Sequence, residues 1–380
     1  MNESSFSRRQ LLAGAGGMLM GGLTGMGSAA AFDWQSSSLR DAGFADDLGA
    51  RLDKAVADKR IWNLHGVVIV RHGRLVLERY FRGEDDARGQ PLGIVSFQPD
   101  TLHDLRSASK SIVGLLYGIA LAKCQVPAPE APLMTSFPEY ADLAADPSRS
   151  RWTLHHVLSM TMGTEWNEAL SYTDPANSET AMDMATDRYR YILDRPLVTE
   201  PGQRWAYNGG ATALLGRLIA RGTGKSLHDY ARETLFDPLG IGQTDWHADK
   251  AGELIAASGI RMMPRDLAKI GELMLRGGVW EGRSVVPGEW IARCTSLVAP
   301  IDDEIQYGYQ WYGGSFPFQT PTISQSSQPF RFAAGNGGQR LMIFPGLDLI
   351  VVTTAGNYNT RDHQVPSRRV TTEVVMPSLL

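Results

Sequence analysis

The chain has 380 residues, 43% hydrophobic and 21% charged, with a net charge of −4. That length accommodates one large domain or two modest ones, and the composition is that of a folded chain with a sizeable core. The small net charge, with no basic run and no metal-finger spacing, excludes a surface that tracks nucleic-acid phosphates.

In chain order, residues 1–31 carry an arginine pair, Arg8 and Arg9, then an uncharged apolar run, then a small-residue stretch ending Ala29-Ala30-Ala31. This order predicts a cleaved export signal read by the twin-arginine export machinery, and hence a periplasmic or secreted protein. A transmembrane anchor is the alternative. The run, however, is crowded with Gly and lacks the bulky aliphatic residues of a stable span. No later segment approaches membrane-spanning length, so no stable span is expected once the signal is removed.

Residues 39–58 repeat apolar residues at helical spacing, and "HGVVIVRHGRLVLERYF" predicts a β-hairpin over 65–81. The stretch "DLRSASKSIVGLLYGIA" (104–120) predicts a buried helix. From about 120 to 300 the patterns are mostly helical and broken by Pro and Gly. Strand character returns at 307–314, 340–345 and 348–356, and a last helix is expected near 362–376. The low-complexity piece "TISQSSQPF" (322–330) is expected to be a surface loop. Strands at both ends with a helical middle imply one sheet with an inserted helical lobe, and a cleft between lobes is a common ligand site. Only Cys124 and Cys294 are present. Two separate buried thiols are expected rather than a disulfide framework or a metal site.

Three features could carry chemistry. Ser107 stands three residues before Lys110, and no other lysine has Ser at that spacing. With 7 lysines and 27 serines, about half a match is expected by chance, so the motif alone is weak. On a helix the two share one face, and a buried lysine loses solvation of its charged form and can activate a neighbouring hydroxyl. The competing reading is that Ser107 caps the helix while Lys110 reaches solvent. Second, Tyr207 stands at a Gly-rich turn in "EPGQRWAYNGG", where its hydroxyl could relay a proton or simply pack. Third, Gly335, Gly337 and Gly338 in "FAAGNGGQRLMIFP" precede a strand. They could admit an oxyanion to backbone N–H groups or merely bend the chain. His155 and His156 are expected to pack in a helix. Trp166, Trp311 and Tyr312 could line a cleft or fill the core.

Taken in order, "LRSASKSI", "EPGQRWAYNGG" and "AAGNGGQ", with "VLSMTMGTEW", "LFDPLGI" and "MMPRDLAKIG" between and beside them, resemble the serine β-lactamase and penicillin-binding-protein superfamily. The resemblance is to the branch with class C β-lactamases, related carboxylesterases, D-amino-acid peptidases and 6-aminohexanoate-oligomer hydrolases. It implies an α/β (α+β) fold of β-lactamase/transpeptidase type. An antiparallel sheet from the N- and C-terminal segments would be flanked by helices. The serine hydrolase domain would span 32–380, with an α/β lobe at about 32–120 and 300–380 and an all-helical lobe at about 121–299.

The resemblance further implies Ser107 as acyl-accepting nucleophile, Lys110 as its proton partner and Tyr207 as the proton relay. The backbone N–H groups of Ser107 and Asn336 would form the oxyanion hole, a register with Gln339 fitting less well. Asn208, Gly335 and Gly337 would meet substrate. Two departures bear on specificity. The family's Tyr-x-Asn reads Tyr207-Asn208-Gly209, and its Lys-Thr-Gly reads Ala333-Ala334-Gly335. Both remove groups that hold a β-lactam. The expected activity is therefore hydrolysis of small esters, carboxylesterase first, then small amides or D-residue peptides, then β-lactams. No cofactor or metal is implied. The rival from another class is an inactive, ligand-binding family member.

Overall fold

The computed structural model describes residues 32–318 and 326–380; the expected signal peptide, residues 1–31, lies outside them. Strands β1 (Leu64–Arg71) and β2 (Arg74–Tyr80) form the expected hairpin after helix α1 (Leu48–Ala57). A second hairpin follows, β3 (Arg82–Ala87) and β4 (Gln90–Ser96), and then β5 (His103–Asp104), a 3-10 turn at Arg106–Ala108 and helix α2 (Ser109–Ala122). The middle of the chain holds α3 (Ala141–Ala144), α4 (Leu154–Leu158), α5 (Ser178–Met184), α6 (Arg188–Leu193), α7 (Gly209–Thr223) and α8 (Leu227–Ala231). It continues through β6 (Thr244–Trp246), β7 (Ile260–Met262), α9 (Pro264–Leu275), β8 (Val279–Trp280), β9 (Arg283–Ser284) and α10 (Gly288–Thr295). The last part brings β10 (Ala299–Pro300), β11 (Ile305–Tyr307), β12 (Tyr312–Phe318), β13 (Ser326–Gly335), β14 (Gln339–Phe344), β15 (Leu349–Ala355) and α11 (Val365–Arg369).

Among the described residues the main sheet has eight strands in the order β10-β11-β12-β13-β14-β15-β1-β2, every pair antiparallel. The N-terminal hairpin thus joins the C-terminal strands, with Val68 opposite Val352 on β15. Both central strands are buried on both faces, which explains their unbroken apolar runs. Alternate residues go to opposite cores. Val68, Val70, Ile350 and Val352 face the helical insertion, whereas Val67, Ile69, Leu349 and Val351 face α1 and the C-terminal helical segment.

Several expectations change in detail. The helix expected over 39–58 begins only at Leu48, because Gly43 at φ +70 turns the chain, and Phe44 reaches the core without helical backbone. The β3–β4 hairpin was hidden by its charge-rich sequence. It turns at Arg88 and Gly89, both at positive φ, as a two-residue hairpin loop requires. Residues 326–330 of the expected 322–330 loop are strand, and the rest of that piece lies outside the described residues. The 121–299 stretch is not all helical, since it carries β6–β9, and its helix α9 packs on β1, β14 and β15 of the sheet. Both cysteines are free, but only Cys294 is buried; Cys124 is exposed at φ +55, on a turn where no core is available to cover it. Among the described residues no helix is long and apolar enough to cross a membrane.

Candidate active site

The 3-10 turn places Ser107 between β5 and the buried helix α2. Leu105 fixes this turn from below, its N–H donating to Ile260 O on β7 at 2.9 Å. Arg106 holds it from the side. Its backbone sits at φ +49, a left-handed conformation that costs a residue with a Cβ about 1–2 kcal/mol. Its guanidinium reaches Asp86 at 2.6 Å and Asp104 at 3.1 Å and stacks over the Tyr358 ring at 4.4 Å. Backbone strain of this kind persists only where the surroundings over-determine it, as the two ion pairs and the ring do here.

Helix α2 then carries Lys110 one turn on. Ser107 makes no helix-capping bond, and Lys110 is 2% exposed. The cap-and-solvent alternative therefore fails on both counts. The Lys110 ammonium donates to Ser107 Oγ at 3.2 Å and to Ala257 O at 3.1 Å, and lies over the Tyr207 ring at 4.8 Å. Tyr207 stands beside Ser107 on the wall of the same cavity, its ring against the Lys110 ammonium. Burial, then Glu168 and Glu179, push the Tyr207 hydroxyl well above its ordinary range, although the neighbouring Ser107 acts to lower it. Ser107, Lys110 and Tyr207, about a hundred residues apart in sequence, thus meet at one point.

Sequence reading missed the acidic side of this centre. Glu179 Oε2 lies 3.7 Å from Lys110 Nζ, and Ser258 Oγ donates to Glu179 Oε1 at 3.3 Å. Glu168 Oε1 accepts from Gly209 N–H at 2.5 Å and from Trp166 Nε1 at 2.6 Å, and Tyr172 donates to Oε2 at 3.0 Å. Burial and the neighbouring Glu179 push the Glu168 carboxyl up to about 8. For Glu179 burial acts upwards too, but Lys110 and the bond from Glu168 outweigh it and hold it low. With Glu168 raised and Glu179 held low, the pair keeps one proton at neutral pH, on Glu168, and presents one negative charge to the ammonium. Neither glutamate belongs to a local motif; Glu168 stands in an irregular loop and Glu179 in the first turn of α5, and only folding brings both against α2.

Ser107 lies where two cavities meet. One, of about 250 Å³, is polar and is lined by Arg88, Arg106, Glu179, Asp183 and Asn359. The other, of about 330 Å³, is aromatic, with Trp205, Tyr207, Tyr312 and Phe332 beside Gly335 and Arg340. Tyr172 and Asn336 border both. A Cβ at Gly335 would stand 2.1 Å from Leu105 O, so β13 touches the turn that carries Ser107 only because this position is glycine. Gln339 is fully buried, its side-chain amide paired with both the N–H and the C=O of Ala355, and it lines neither cavity.

Two of the expected substrate contacts are corrected. Asn208 is 3% exposed and caps α7, its Oδ1 accepting from Ala211 N–H at 3.0 Å; the helix end claims its side chain. Gly337, at φ +97, is buried beneath Tyr358, whose ring would lie 2.4 Å from a Cβ. Tyr312 lines the cleft, Trp311 is fully buried in the core, and Trp166 stands behind Glu168. His155 bonds the Tyr309 hydroxyl at 2.8 Å, and His156 completes a capping box with Thr153, so both serve packing.

The β-lactamase family model matches residues 56–372, the sheet, the insertion and every element of this site. The chain belongs to the β-lactamase family. It is 29% identical over 221 residues to esterase EstB of Burkholderia gladioli, covering 56% of this chain and 54% of that protein. It is 27% identical over 258 residues to the 6-aminohexanoate-dimer hydrolase of Paenarthrobacter ureafaciens, covering 64% and 58%. The chain thus spans a little over half the length of these curated relatives. A solved Bacillus anthracis structure, provisionally named a 6-aminohexanoate-dimer hydrolase, superposes with a TM-score of 0.68 at 18% identity, covering 90% of this chain and 87% of that one. That likeness is one of fold.

Proposed function

We propose that the protein is a serine hydrolase that works through an acyl-enzyme, with small carboxylic esters as its preferred substrates. The observation that carries this reading is the Ser107 hydroxyl accepting from the buried Lys110, with Tyr207 beside it, where the two cavities meet. Ser107 Oγ attacks the ester carbonyl carbon while its proton passes to the Lys110–Tyr207 pair. Because Tyr207 stays protonated in the free enzyme, it relays protons rather than standing as a phenolate base. The C–O bond to the alcohol then breaks and the alcohol leaves with that proton. Water attacks the acyl-enzyme, giving up one proton to the same pair and releasing the acid as Ser107 regains its hydrogen. The oxyanion is assigned to the backbone N–H groups of Ser107 and Asn336, supported by the contact of Gly335 with the Leu105 carbonyl.

Esters come first because β13 supplies Ala333 and Ala334 where a β-lactam carboxylate would need a cation and a hydroxyl, and because an esterase is among the relatives. The polar cavity with Arg88 and Asp183, together with the 6-aminohexanoate-dimer hydrolase relative, favours small linear amides as the second reading. Rates on a p-nitrophenyl ester, an aminohexanoate dimer and a chromogenic cephalosporin rank the three. Fast cephalosporin turnover reverses the order. A fluorophosphonate should label Ser107 in the wild type and not in Ser107→Ala; a folded, unlabelled wild type makes the protein a binding module instead. The Arg8-Arg9 pair supports export by the twin-arginine route. Changing both to lysine should leave the protein in the cytoplasm.

A further inference from the structure

Outside the linings of both cavities, and linked to the Ser107 turn through Tyr358 and Arg106, three ligand-type atoms from three strands converge. They are His65 Nδ1 (β1), His103 Nε2 (β5) and Asp85 Oδ1 (β3), on residues 0%, 0% and 6% exposed. The two ring nitrogens are 2.8 Å apart, and each lies 3.8 Å from the carboxylate oxygen. Three points with those separations lie on a circle of radius about 2.0 Å, which is the length of a Zn–N or Zn–O bond.

The outer contacts suit ring protons on the outer nitrogens. His65 Nε2 faces Asn63 Oδ1 at 3.3 Å. That oxygen is identified as an acceptor because it also takes the Glu84 N–H, while Asn63 Nδ2 donates to Glu84 O. His103 Nδ1 faces the Asp104 carbonyl at 2.9 Å. With the hydrogens on both outer nitrogens, the inner nitrogens present lone pairs to each other and to a carboxylate. Two lone pairs 2.8 Å apart need a proton or a metal ion between them, and the carboxylate facing the same point as a third electron-rich atom suits the metal ion. The outer acceptors on both rings, and the Tyr358 hydroxyl donating to Asp85 Oδ1 at 2.9 Å, are the supporting shell that metal-bound imidazole and carboxylate need.

We propose that His65, Asp85 and His103 form a buried three-ligand site for Zn²⁺ that ties β1, β3 and β5 together. Two imidazoles and a carboxylate select a borderline divalent ion over Ca²⁺ or Mg²⁺, which take oxygen ligands. The site's reach to the active centre is short. Asp86 and Tyr358, which clamp Arg106, are the neighbour of one ligand and the hydrogen-bond partner of that same ligand. The role is bracing, so the inference stands whether or not the acyl-enzyme reading does.

The test uses the whole purified protein, stripped with a chelator, dialysed and titrated with Co²⁺ as a spectroscopic stand-in. The expected result is one equivalent bound, with visible d–d bands of four-coordinate intensity that Zn²⁺ bleaches. Zn²⁺ at a hundred times its dissociation constant should raise the Tm by about 3–4 °C. Asp85→Asn and His103→Gln should each lose the bands and the Tm rise. The wild-type titration alone decides if either variant misfolds. A wild type that takes up no Co²⁺, with a proton shared between the two rings by nitrogen-15 NMR, overturns the proposal. So do bands that persist in both variants.

Discussion

Replacing Gly335 with alanine tests whether β13 supplies half of the oxyanion site. The new Cβ would lie 2.1 Å from Leu105 O and 3.1 Å from Arg106 Cβ. A carbon–oxygen contact needs about 3.3 Å, so strand and turn must part by about 1 Å. Leu105 is fully buried and bonded through its N–H to Ile260, so the strand is the part that yields. Asn336 is the next residue and moves with it. A hydrogen bond of about 2.9 Å lengthened by about 1 Å is lost, and losing one oxyanion donor costs about 10²–10³ in kcat. The overpacking itself should cost about 1–3 kcal/mol of stability, a fall in Tm of a few degrees. The assay is kcat/KM on a p-nitrophenyl ester beside a thermal melt. A folded Gly335→Ala variant within threefold of the wild type refutes the placement of the donor on this strand. Asn336→Ala keeps the backbone N–H and should stay within about tenfold.

Three further outcomes are expected. Tyr207→Phe keeps the ring over Lys110 but removes the hydroxyl assigned as proton relay, so kcat/KM should fall by about 10²–10⁴ with the Tm little changed. Glu168, pushed up to about 8, keeps a proton that the unfolded chain releases near pH 4.5. The folded state thus binds more protons between those values, and stability should fall as pH rises across them. Glu168→Gln should flatten that slope in melts from pH 5 to 9, and an unchanged slope means that Glu168 does not hold the proton. Asn208→Ala loses the α7 cap, about 1 kcal/mol, and should lower the Tm by about 1–2 °C while leaving the KM for the ester unchanged. A raised KM would return Asn208 to the substrate.

What the sequence determined by itself is what local pattern encodes. The unbroken apolar run of β1 and the alternation around its turn predicted the hairpin, because a strand buried on both faces needs such residues. Ser107 and Lys110, one helical turn apart, needed no tertiary contact to share a face, and the ordered matches to Tyr207 and the "GNGGQ" strand identified the family. Tertiary structure decided everything that depends on residues distant in sequence. Asn208 looked like a substrate contact and proved to be a helix cap, because a cap is defined by the N–H groups that the helix start leaves unpaired. Glu168 sits in an irregular loop and Glu179 in the first turn of the short helix α5, and their charge acquires meaning only when folding buries them beside Lys110. His65, Asp85 and His103 follow no metal-binding spacing, since three strands of three different sheets deliver them. Charge and coordination act through distance in space, and no interval along the chain records that distance.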